Sequence, residues 1–160
     1  MNPGYIKSLR IIYFSLAAGL VMFSFTSLFV NFSVGPFLGT GLPVAKKTPY
    51  IIGLIVFTGF TIMAYRIINA KKLSALQELH TLEDKLLAWR ELNVIRGALI
   101  EAPAFMAITM FLLLGLHVML VWPLVSITTF WLTLPNRDSL LEEAKFSSSQ
   151  TQEFDRMNQS

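Results

Sequence analysis

Charged residues are absent from three long stretches of this chain, 11–45, 48–65 and 102–136. A bilayer-crossing helix needs about 20 mostly apolar residues. The first stretch predicts one span over 11–32. Gly35, Pro36, Gly39, Gly41 and Pro43 then break the helix. Residues 33–48 read as a loop whose apolar members, Val34, Phe37, Leu38, Leu42 and Val44, suit the membrane surface. A second span, 50–68, opens at Pro49, which fits a first helical turn because its missing N–H costs nothing there. Arg66, Lys71 and Lys72 stand at its headgroup end. The third stretch predicts two spans, 92–114 and 118–134, with Arg96 and Glu101 in the early turns of the first. Gly115 to His117 is the turn between them. The last span is short and contains Pro123, so a re-entrant hairpin is the alternative. Trp122 and Trp131 suit membrane interfaces.

Between spans two and three the pattern changes. Leu73, Leu76, Leu79, Leu82, Leu86 and Trp89 recur at three- and four-residue spacing, the mark of one apolar helical face. Charges fill the other faces, and neither Gly nor Pro interrupts 71–91. Thr81 is a predicted N-cap, followed by Glu83 and Asp84 where a helix favours acid. The pattern predicts a cytoplasmic helical hairpin over 69–91, bent near His80 and Thr81. Span two would run on to about Leu79 and span three would start at about Leu82. At 1.5 Å per residue these helices reach roughly 45–50 Å, against a hydrocarbon core of about 30 Å. The leucine row either packs the two arms together or offers a docking face to another subunit.

Composition agrees with a membrane protein. Of 160 residues 54% are hydrophobic and 14% charged, and the mean hydropathy is +0.57. Soluble domains carry roughly 25% charge. Disorder, collagen-like repeats and a disulfide scaffold are excluded, the last because cysteine is absent. The first apolar stretch is too long for a signal h-region and is kept as a mature helix. Four spans with both termini cytoplasmic place eleven of thirteen Lys and Arg inside, leaving only Lys46 and Lys47 outside. The expected fold is thus all-α and polytopic: a four-helix transmembrane domain over 1–136, then a polar cytoplasmic tail over 137–160. Within the tail, 137–145 suits a short helix, and Ser149 with Gln152 has capping-box spacing.

Glu101 is the residue with chemistry to offer. A carboxylate inside a span is costly and marks a functional site by default. A buried, protonatable carboxylate is also what a proton or cation site needs. Pro103 lacks a backbone donor and so frees a carbonyl near Leu99 as a ligand or hydrogen-bond acceptor. Arg96 is five residues away, about 140° around the helix, so it marks the membrane boundary or pairs across a neighbouring chain. Asn93, Gly97 and Glu101 share a face at steps of four, continued by Ala104 and Ile108. Small residues there suit helix packing, with Glu101 directed into the bundle. Ser15, Ser24, Thr26, Thr58 and Thr61 are its possible hydrogen-bond partners. His80 and His117 fall at opposite ends of the spans and cannot share a metal. No HExxH, P-loop, GxSxG or dinucleotide fingerprint is present. Basic residues of the hairpin are offset by Glu78, Glu83, Asp84 and Glu91, which disfavours nucleic acid.

The run Arg96-Gly97-Ala98-Leu99-Ile100-Glu101-Ala102-Pro103 resembles a motif of a family of small four-helix membrane proteins of Bacteroidetes, whose function is unknown. That family has a hydrophobic first hairpin, a Leu/Lys/Glu-rich connector and a Pro-led polar tail, matched here at Pro135, Asn136 and Arg137. The resemblance implies a bacterial inner-membrane protein. The same run is similar, over about one helix, to the carboxylate helix of rotary ATPase proteolipid subunits. Those have two helices and a glycine-rich first one, whereas only Gly19 lies in the first span here, so no ion-translocating role is carried over. The expected function is a non-enzymatic accessory or assembly subunit of a larger complex, or a homo-oligomer, without metal or cofactor. Its partners would be the bilayer and other membrane subunits. The alternative is a small transporter or proton/cation-conducting component that uses Glu101.

Overall fold

The structure is a computed structural model, which describes residues 5–38 and 43–159. Gly39, Gly41 and Leu42 of the predicted loop lie outside the described residues, as does the side chain of Val44. The described chain is all-α: α1 (Tyr5–Val34), α2 (Val44–Glu78), α3 (Leu82–Leu114), α4 (Val121–Leu132), α5 (Arg137–Ala144) and α6 (Ser148–Gln159). A 3-10 turn, His117–Leu120, leads into α4. Three helices, α1, α2 and α3, are long and apolar enough to cross a membrane. The segment His117–Leu132 qualifies only jointly with α5, from which it is bent by 80°. Its 3-10 turn and α4 together rise about 26 Å, just under the hydrocarbon thickness of about 30 Å.

α3 is the centre. Of the most apolar stretch of each long helix, 44% of α3 is buried, 17% of α1 and only 6% of α2. α1 runs parallel to α3 at a constant offset of about 80 residues. The Tyr5 hydroxyl donates to the Leu86 carbonyl, Tyr13 to the Asn93 carbonyl at 3.1 Å, and the Asn31 amide to the Phe111 carbonyl at 3.1 Å. α2 runs antiparallel to α3, fixed by the Lys72–Glu91 ion pair and by Arg96 Nε donating to Asn69 Oδ1 at 2.7 Å. α4 is antiparallel to both α1 and α3. Phe130 meets Tyr13 edge-on at 5.6 Å, and the Ser126 hydroxyl donates to the Ile100 carbonyl at 2.9 Å. Gly97 lets α1 approach, since a Cβ there would lie 3.1 Å from Leu16 Cδ1.

The ends of the helices have local causes. Thr81 is extended and accepts from the Asp84 amide, so α2 stops at Glu78 and α3 begins at Leu82. α3 ends at Gly115, held at φ +68°, a left-handed conformation that glycine adopts without strain. The last four carbonyls of a helix lack internal donors, and here all four are met. Phe111 accepts from Asn31 and Gly115, Leu112 from the Phe37 amide, Leu113 from the Leu38 amide, and Leu114 from Lys47 Nζ at 3.0 Å.

Several expected boundaries move. α1 begins at Tyr5 and so extends beyond the predicted span 11–32, because Tyr5 and Leu9 carry its buried face onto α2 and α3. α2 begins at Val44, so the loop is shorter than 33–48. Pro43, fixed at φ −55°, starts that helix, and Pro49 sits beyond its first turn. The capping box of α6 is formed by Ser147 and Gln150, whose backbone amides and side chains bond reciprocally, not by Ser149 and Gln152. The tail does not trail free of the hairpin. Leu140, Ala144 and Phe154 are buried in one cluster with Leu9, Leu76, Leu82, Leu86 and Trp89.

Candidate functional site

The polar residues of α3 divide into a paired set and an unpaired one. Where α3 passes from its polar to its apolar part, Asn93 is buried; its amide donates to the Trp89 carbonyl at 2.9 Å, and its own carbonyl accepts from Tyr13. Arg96 holds Glu143 of α5 at 2.9 Å and Asn69 of α2. The Trp89 indole donates to the same Glu143 carboxylate at 2.8 Å. One turn further out, Lys85 is buried, and its ammonium donates to the Ala144 and Lys145 carbonyls at 2.8 and 3.2 Å. A cation there meets the negative end of α5. Burial holds this amine below its ordinary value of 10.5. Gln77 adds a bond to the Glu143 carbonyl. The tail is therefore latched onto α2 and α3 by four side chains.

This latch covers the predicted docking row. Leu76, Leu82, Leu86 and Trp89 are buried beneath α1, α5 and α6, and Leu73 and Leu79 pack against the same cluster. Glu143 is the residue that sequence reasoning missed. Its carboxylate falls on an eight-residue helix whose Leu140 and Ala144 share a face at a step of four. That spacing signals a packed helix, but nothing local says which cation it meets.

Glu101 stands apart. It is half-buried, and among the described residues no hydrogen bond or ion pair reaches it. Arg96 is committed elsewhere. Thr58 and Thr61 bond to backbone carbonyls of α2, Thr26 to Met22, and the Ser24 hydroxyl is itself unpartnered. Of the face shared by spacing, Asn93, Gly97, Ala104 and Ile108 are buried. Glu101 lies at the edge of that face, next to a stripe of exposed residues, Val94, Ala98, Phe105 and Thr109. From Glu101 to Leu114 is about 20 Å of helix.

No protein-family model, curated protein or solved structure matches the chain.

Proposed function

We propose that the chain is a non-enzymatic integral membrane protein that serves as an accessory or assembly subunit and docks through the outward side of α3. In this reading the 3-10 turn and α4 make a fourth crossing. Eleven of thirteen basic residues and both termini then share the cytoplasmic side, as the positive-inside rule favours for a bacterial inner-membrane protein. The lower ends of α2 and α3 form a cytoplasmic stalk with the tail folded against it.

The observation that carries the reading is Glu101, a carboxylate on an apolar helix with no partner among the described residues, beside the exposed Val94, Ala98 and Phe105; in this reading it lies within the hydrocarbon core. Hydrocarbon offers a carboxyl group no hydrogen bond. A transmembrane helix of another subunit that brings a hydroxyl, amide or cation supplies one, and small Ala98 lets it approach. The test is isolation from the native membrane in mild detergent, with mass spectrometry of what accompanies the chain. Stoichiometric recovery with a larger assembly is expected. Recovery alone, or only with itself, removes the accessory-subunit reading. Glu101→Gln keeps the hydrogen-bonding shape and is expected to keep the association, while Glu101→Leu loses it.

A further inference from the structure

A crevice between α2, α3 and α4 plays no part in that docking. It is a half-open groove of about 420 Å³, within the roughly 300–1,000 Å³ of ligand sites. Pro103 and Val125 are among its walls. At one end stands Trp122, whose indole donates to the Thr58 hydroxyl at 2.8 Å. At the other end stand Tyr65 and Arg66. From Thr58 to Arg66, α2 rises about 12 Å. Neither the Tyr65 hydroxyl nor the Arg66 guanidinium has a hydrogen bond or ion pair among the described residues. The contrast with Arg96, held by two partners, is direct.

We propose that this crevice binds one acyl chain of an anionic phospholipid, with the phosphate held by Arg66 and Tyr65. The lining selects the occupant. The walls are mostly apolar, Ile62, Leu99, Ile100, Pro103 and Val125 among them, and suit an extended hydrocarbon chain. The charge selects the headgroup: an unpaired guanidinium at a membrane interface takes phosphate through two parallel N–H bonds. A zwitterionic headgroup carries its own cation and gains less from Arg66. The inference rests on α2, α3 and α4 lying in the bilayer.

The test is native mass spectrometry of the full chain released from nanodiscs of equal phosphatidylglycerol and phosphatidylcholine. Recovery of the chain in the membrane fraction is scored first, so that failure of the membrane reading is seen separately. The wild type should retain one phosphatidylglycerol, about tenfold over phosphatidylcholine. Arg66→Gln should abolish the preference and Arg66→Lys keep most of it. Val125→Trp, which fills the groove, should lower retention of both lipids. Equal retention of the two lipids by the wild type overturns the proposal. So does an unchanged preference in Arg66→Gln, or a protein partner found crosslinked at Val125.

Discussion

Arg96 of α3 and Glu143 of α5 are joined at 2.9 Å across 47 residues of sequence. Both are largely shielded, at 13% and 24% side-chain exposure. The pair thereby ties the central helix to the tail where α3 passes from its polar to its apolar part. Removing one member strands the other, which costs about 1–3 kcal/mol for a shielded charged group. Arg96→Ala is expected to speed amide exchange throughout α5 by about 5- to 150-fold. Glu143→Gln should be milder, because an amide oxygen still accepts from Trp89. If both single variants and the double variant cost the same, the two residues act as one unit. Unchanged exchange in Arg96→Ala would show that the tail is held by apolar packing alone.

Lys85 makes the latch sensitive to alkali. Burial lowers this amine below 10.5. Between its docked value and 10.5, the undocked chain binds more protons, so docking strengthens as pH rises through that window and levels off above it. The thermal midpoint in detergent is therefore expected to gain a contribution from Lys85 as pH approaches 10.5. Lys85→Met should lose both carbonyl bonds and flatten that part of the profile. Identical slopes in the wild type and Lys85→Met would remove Lys85 from the account.

The far end of α3 gives a second stability test. Gly115 has φ +68°, and a Cβ there would meet Pro36 Cγ at 3.1 Å. Gly115→Ala should cost about 1–2 kcal/mol from the left-handed backbone alone. Lys47→Met should cost about 1 kcal/mol, by freeing the Leu114 carbonyl and removing a cation from the negative end of α3. Thermal midpoints of the two variants in detergent check both. A neutral Gly115→Ala would mean that the turn relaxes.

Much of this architecture was legible along the chain, and the limits have physical reasons. The break at Thr81 is a local event, a hydroxyl capping the amide of Asp84, and local chemistry is written in three residues. Gly97 announced a close helix contact and has one with Leu16. The tail was different. Its polar surface masks a thin apolar edge, Leu140, Ala144 and Phe154, and only the assembled hairpin offers that edge a place to pack. The partner of Arg96 was hidden for the same reason. The extra length of α1 was hidden because Tyr5 and Leu9 bury against polar stretches of α2 and α3 rather than within an apolar run of their own. The unpaired state of Glu101 depends on where α1 and α2 lie around α3, which periodicity on one helix does not fix.

Glu101 separates internal from external roles in one measurement. No group of this chain among the described residues reaches the carboxylate, so Glu101→Leu removes no internal bond. It also replaces a polar group that hydrocarbon disfavours. In the isolated chain in detergent, Glu101→Leu is therefore expected to be neutral or slightly stabilising by thermal midpoint. If Glu101 docks as proposed, the same substitution should release the chain from its assembly in the native membrane. A clear fall in the midpoint of the isolated chain would instead place the partner of Glu101 within the chain and end the docking proposal for this face.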